Sequence, residues 1–220
     1  MSRRLFWALV PALLCSTVAA DTEWRLEKEG SGITVHTRSV QGSPHRAVRS
    51  RMVVDTPIVE LVALLKDKDA CSEWVRFCEA SHVHETLGAQ EEYVYTVNDM
   101  PWPLADRDVL SHVTWTAEPD TGAIRMDARA TQDVLEARDN RIRLTDAMAS
   151  WTFRPMEGGR VEVISEVHVD PAGPVPAWIT NGLLVDAPFA TMKQLRALAA
   201  SGRYDDASDD LLPEVLISAQ

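Results

Sequence analysis

Residues 99–110 read DMPWPLADRDVL, with two prolines around a tryptophan and then an adjacent Arg107–Asp108 pair. Each proline fixes its own φ and pushes the residue before it toward extended backbone, so this approach is stiff. The chain continues as DVLSHVTWTAE (108–118), a β-rich run. By strand alternation Arg107, Val109, Ser111, Val113 and Trp115 share one face, and Asp108, Leu110, His112 and Thr114 the other. A stiff loop therefore delivers two opposite charges to the mouth of a strand. They suit either a structural ion pair locking strand ends or a cation held toward a binding face.

Outward from this strand the pattern is repeated. GITVHTRSV (32–40), HRAVRSRMVV (45–54), EEYVYTVND (91–99), AIRMDARAT (123–131), RIRLTDAMASWTFRP (141–155) and RVEVISEVHVD (160–170) read as strands. QGSP, EPDTG, EARDN and EGG mark the turns between them. Consecutive strands with short polar turns imply an antiparallel meander. Helical spacing takes over twice. In TPIVELVALLKD (56–67) Thr56 can cap, Pro57 suits the first turn, and Ile58, Leu61, Val62 and Leu65 share a face. The second stretch is PVPAWITNGLLVDAPFATMKQLRALAAS (174–201), with an apolar stripe of Trp178, Val185, Phe189, Met192 and Leu195.

Two strands show their faces plainly. Ile124, Met126, Ala128 and Ala130 alternate with Arg125, Asp127 and Arg129. Val161, Val163, Ser165, Val167 and Val169 alternate with Glu162, Ile164, Glu166 and His168. One sheet face is thus apolar and the other wet, and the C-terminal helix must cover the apolar one. Several inward residues are small (Ala128, Ala130, Ala149), so the seam is either hollow or a filled core.

Arg3 and Arg4 precede an apolar run, Leu5 to Leu14, and small residues Val18-Ala19-Ala20. This reads as a secretory signal peptide over 1–20, cut after Ala20. The remaining 200 residues suit one domain and carry a net charge of −13, the whole chain carrying −11. Such a chain repels phosphate backbones, which excludes nucleic acid and disfavours stable docking on an anionic membrane. Export leaves Cys71 and Cys78 in an oxidising compartment. On one unbroken helix they would lie about 10 Å apart along the axis, beyond the roughly 7 Å limit for a disulfide. A bridge requires the helix to end near Trp74 and Cys78 to open the next strand; the alternative is two buried thiols.

MPWPLADRDVL (100–110), SWTFRP (150–155) and VHVDPAGPVPAWITN (167–181) together resemble the START domains, the steroidogenic-acute-regulatory-protein-related lipid-transfer family, and in particular their exported bacterial members. Trp102, Pro103, Arg107 and Asp108 match the strand-entry motif; Asp170, Gly173, Pro176 and Trp178 match the helix entry. The resemblance spans about 21–201, leaving 202–220 as an acidic tail. It implies an α+β helix-grip fold, a curved antiparallel sheet wrapped around a long C-terminal helix, with an internal cavity for one lipid. Read onto the faces above, Trp102, Arg107, Val109, Val113, Trp115, Ile124, Met126, Ala128, Trp151, Val163, Val167, Trp178, Leu183, Leu184 and Phe189 are the expected ligand-contacting residues. Sterol-binding relatives place an arginine where this chain has Val113, which points to a more apolar ligand or one anchored elsewhere.

No Gly-x-Ser-x-Gly elbow, His-Glu-x-x-His or phosphate loop is present, and no cofactor is expected. His82, His84, His112 and His168 read as solvated side chains on strand faces rather than as metal ligands. The competing functions are a cyclase- or aromatase-like enzyme on the same scaffold, for which Asp146 is the candidate ionisable group, and a scavenger that holds ligand without delivering it. A monomeric lipid carrier of the periplasm, touching membranes transiently, is the favoured expectation. Its gate would lie in the C-terminal helix, where Gly182 and Pro188 weaken NGLLVDAP (181–188) and Asp186 can cap the piece that follows.

Overall fold

The computed structural model describes residues 23–132, 134–138, 140–173, 175 and 182–213. Its sheet comprises β1 (Arg25–Gly30), β2 (Ile33–Ser39), β3 (Arg46–Val54), β4 (Cys78–Gly88), β5 (Glu91–Asn98), β6 (Arg107–Glu118), β7 (Ala123–Ala130), β8 (Ile142–Arg143), β9 (Ala147–Pro155) and β10 (Val161–Val169). The spatial order is β1-β2-β3-β10-β9-β7-β6-β5-β4. Every pairing along it is antiparallel, while the short β8 runs parallel to β6. The expected single strand over 141–155 is therefore two. Leu144 N donates to the Asp108 carbonyl at the end of the β6 pairing, and β9 starts afresh at Ala147.

Three helices matter: α1 (Ile58–Lys66), the short α2 (Cys71–Trp74) and α3 (Ala187–Ala199). Leu61, Val62, Leu64 and Leu65 of α1 are buried. The helix opens at Pro57 without a side-chain cap, so the expected capping by Thr56 does not form. Met192 and Leu195 of α3 are likewise buried, against the apolar face of the sheet. A π-helical turn, Gly182–Asp186, leads into α3. Asp186 does not cap; its carboxylate instead accepts from Lys28 Nζ of β1 at 2.7 Å. The expected helix start near Val175, and Trp178, fall largely outside the described residues.

Strand register arranges the inward side chains in rows across the sheet. Ile124, Phe153, Val163, Met52 and Ile33 form one row, and each is at most 2 % exposed. One step along the strands runs the row Trp115, Met126, Trp151, Ser165 and Ser50. The next is Val113, Ala128, Ala149, Val167 and Val48, in which two positions have only a methyl group. α1 and α3 fill the space over the first row.

The outer face is not uniformly wet. Tyr95, Val97 and Leu110, on the far side of β5 and β6, form a second buried cluster with Tyr93 and Leu135. Residues 202–213, expected to form part of a separate acidic tail, pack back on α1. Leu212 is buried in the main core, Tyr204 donates to Asp67 at 2.9 Å, and Arg203 pairs with Asp67 and Glu73.

Candidate functional site

A cavity of about 670 Å³ lies between the sheet and the π-helical turn. Its sheet wall is the small-residue row, with Val113, Ala128, Ala149, Val167 and Val48 all lining it. A larger residue at 128 or 149 would close this space; the paired alanines, opposite each other in the β7–β9 register, keep it open. Its base is Met126, Leu65 and the edge-to-face pair Trp74–Trp151, whose ring centroids are 5.5 Å apart. Leu183, Leu184 and Pro188 cover it from the side of α3.

Cys71 also lines the cavity and is bonded to Cys78, with Cα atoms 6.0 Å apart. The helix ends at Trp74, Val75 is extended, and Phe77 takes φ of +72°, so the chain turns back into β4 within reach of the bridge. This turn supplies Trp74, Val75, Arg76 and Phe77 to the wall.

Arg107 and Asp108 point to opposite sides of β6 and do not pair with each other. Asp108, fully buried on the outer side, accepts from Tyr95 Oη at 2.6 Å and from Arg143 Nε and Nη2 at 2.8 and 3.2 Å. Burial alone would raise its pKa, but the hydrogen bonds from Arg143 and Tyr95 and the arginine charge outweigh that and hold the carboxyl below its ordinary value. This pair ties β6 to β8 and the segment crossing its outer face. Arg107 lines the cavity and is 4 % exposed. Its Nη1 donates to the Ala105 carbonyl, and Nε and Nη2 donate to the Pro171 carbonyl at 3.4 Å. Asp170 Oδ1 accepts from Ala172 N at 2.9 Å, forming the turn that exposes the Pro171 carbonyl. The strand-entry and helix-entry motifs thus meet at Arg107. Burial pushes its guanidinium below the ordinary value, and Asp106 draws it partly back.

Nine of the expected ligand-contacting residues border the cavity: Arg107, Val109, Val113, Met126, Ala128, Trp151, Val167, Leu183 and Leu184. Trp115, Ile124 and Val163 share the inward face but belong to the filled core, Ile124 and Val163 in its deepest row. Trp102 is 86 % exposed, because Leu104 N bonds back to the Pro101 carbonyl and the resulting turn carries the indole outward. Met100 is the residue of this loop that reaches the cavity. Phe189 seals α3 against β1, where its ring lies 4.6 Å from Lys28 Nζ and closely over Gly30. Trp178 lies outside the described residues. Asp146 is exposed and is not among the cavity residues.

Sequence reading missed Val94, Thr96 and Asn98 of β5, together with Trp74 and Phe77. Alternation in EEYVYTVND could have found the first three. The misleading signal is that the opposite face, Tyr93, Tyr95 and Val97, looks more like a core.

A curved antiparallel sheet closed by a C-terminal helix, with an apolar cavity between them, defines a helix-grip protein. The START domain model matches residues 13–201, and the chain belongs to the START domain family of lipid-binding and lipid-transfer domains. It is 32 % identical over 177 residues to an uncharacterised protein of Pseudomonas aeruginosa, covering 80 % of this chain and 87 % of that one. The crystal structure of a fragment of a STAR-related lipid transfer protein from Xanthomonas axonopodis is similar at a TM-score of 0.73 and 33 % identity, over 80 % of this chain and 98 % of that one. Human StAR-related lipid transfer protein 5 has the same fold at a TM-score of 0.73 and 14 % identity, over 84 % and 88 % of the two chains.

Proposed function

We propose that this chain is an exported, monomeric carrier that holds one hydrophobic, lipid-like ligand and exchanges it with membranes in the periplasm, without chemical change. The observation that carries the reading is the 670 Å³ cavity walled by apolar side chains of the sheet and the π-helical turn. Export rests on the charged start, the short apolar run and the small residues before Asp21, and the Cys71–Cys78 bridge suits an oxidising compartment.

Solvent physics supplies the mechanism. Each buried methylene is worth about 0.8 kcal/mol, so a sixteen-carbon chain gains on the order of 12 kcal/mol on leaving water. A membrane interior offers nearly the same gain, so loading and release are close to balanced and the rate is set by opening. The π-helical turn is the gate in this reading. It contributes Leu183 and Leu184 to the cavity, and an exposed Lys28–Asp186 ion pair fastens it to β1.

Native mass spectrometry of protein isolated from its own periplasm tests the proposal, with one co-purifying or loadable lipid-sized molecule per chain expected. Ala128→Trp and Ala149→Trp should abolish loading while leaving the circular dichroism spectrum intact. If phospholipid, fatty acid, sterol and hopanoid all fail to bind at saturating concentration, the carrier reading is wrong. Binding without any exchange to liposomes would instead identify a scavenger.

A further inference from the structure

We propose that the ligand is a single-chain lipid with an anionic head, in the simplest case a fatty acid, and that Arg107 receives the head while the chain runs down the β6 wall. This rests on the carrier reading and adds to it the class of ligand.

The charges around the cavity single out Arg107. Lys68 pairs with Glu92 at 2.8 Å, His45 faces Asp170 at 3.4 Å, and Arg46 reaches Glu27 and Thr37. Arg76 is exposed and stacks on Phe77. Asp67, a carboxylate bordering the cavity, is taken by Arg203 and Tyr204. Arg107 is buried and, among the described residues, bonds only to the Ala105 and Pro171 carbonyls. Neutral carbonyls do not balance its charge, and Asp106, the neighbouring carboxylate that acts on it, makes no direct bond to it and accepts instead from Met100 N at 3.1 Å. A guanidinium has five N–H donors, and these bonds leave one on Nη1 and one on Nη2. A cation deprived of water, with two donors to spare on a cavity wall, is suited to a carboxylate or phosphate. A sterol or alcohol hydroxyl accepts a hydrogen bond but leaves the charge unanswered.

The dimensions accommodate one extended chain. From Arg107 to Val113 along β6 is six residues, about 20 Å at roughly 3.4 Å each. With carbon–carbon bonds of about 1.5 Å in zigzag, that length takes an extended chain of about sixteen carbons. A methylene has roughly the bulk of a liquid water molecule, about 30 Å³, so 670 Å³ holds about twenty of them. One extended chain and a compact head fit within that space. Polarity runs the same way. Asn98 sits opposite Arg107 in the β5–β6 register, and the far end is Met126, Trp74 and Trp151.

The test uses delipidated mature protein at pH 8, a neutral apolar fluorescent dye as reporter, and hexadecanoic acid and hexadecan-1-ol as competitors of equal length. The acid is expected to displace the dye at least tenfold more tightly than the alcohol. Arg107→Met should collapse that ratio to under twofold, and Arg107→Lys should retain most of it. Equal affinities for acid and alcohol in the wild-type protein, or a tenfold ratio surviving in Arg107→Met, would overturn the proposal. The wild-type comparison stands even if the methionine variant fails to fold. Dye and alcohol binding without preference for the acid removes this inference alone; no binding of any of the three removes the carrier reading with it.

Discussion

Replacing Asp108 by asparagine tests whether the outer face of β6 is held by its buried ion pair. In the native protein the carboxylate takes three hydrogen bonds, one from Tyr95 and two from Arg143. Arg143 is itself 8 % exposed at its side chain and also donates to the Leu135 and Glu136 carbonyls, so it has no ready route to water. Asparagine keeps one acceptor but removes the charge and turns an amide N–H₂ toward a donor. Stranding one member of a buried pair costs about 3–5 kcal/mol. For a domain of this size about 2–4 °C of Tm is lost per kcal/mol, so a fall of about 6–20 °C is expected in thermal unfolding followed by circular dichroism. Asp108→Leu with Arg143→Met, which removes both charges, should recover at least half of that loss. The pH dependence has a definite sign. Asp108 is held below its ordinary 3.8, so its contribution is complete above that value and lost as pH falls through the lower, folded-state value. The acid limb of the stability curve should therefore flatten in the asparagine variant. A fall in Tm below about 2 °C, or a double variant no better than the single one, would refute the reasoning.

Intact-mass measurement under non-reducing, alkylating conditions should find no free thiol at Cys71 or Cys78. Loop closure over so short a segment predicts a loss of about 2–3 kcal/mol for Cys71→Ala/Cys78→Ala in urea unfolding. Tyr204, half-buried and bonded to Asp67, has its pKa raised from 10.0 to about 12. In an ultraviolet titration it should ionise late, and its stabilising contribution should be complete below pH 10 and disappear between 10 and 12, a feature that Tyr204→Phe removes. Asp186→Lys sets two cations where the Lys28 latch now closes. Exposed pairs are worth about 0.2–1 kcal/mol, so ligand exchange with liposomes should quicken by about 1.4- to 5-fold, and an unchanged rate would place the entrance elsewhere, at the loop around Trp102.

The central strands, α1 and α3 were legible because their signals are local. Alternation in AIRMDARA and RVEVISEV names the inward face without reference to any partner. The helical spacing in 56–67 likewise marks the buried side of α1. Edge strands are harder. β1 reads RLEKEG and most of β4 is exposed, because an edge that must not recruit another strand carries charge rather than an apolar rhythm.

For the cavity, the sequence determined which residues point inward and that some of them are small. It could not determine depth. Val113 and Ile124 both point inward and are both branched aliphatics, yet register sets one on a cavity wall and the other in a filled row, and register is a property of paired strands. Nor could it separate Arg107 from Asp108 as roles. Alternation sends them to opposite sides, but only packing brings Arg143 and Tyr95 to the aspartate and the Pro171 carbonyl to the arginine, from 35, 13 and 64 residues away. Tyr95 and Val97 present a core-like face that a distant segment happens to cover, while the more polar Thr96 and Asn98 border the cavity. A short stretch of chain states what each side chain prefers to meet; which surface comes to meet it is decided by contacts between residues far apart in sequence, and those exist only once the sheet has closed on its helix.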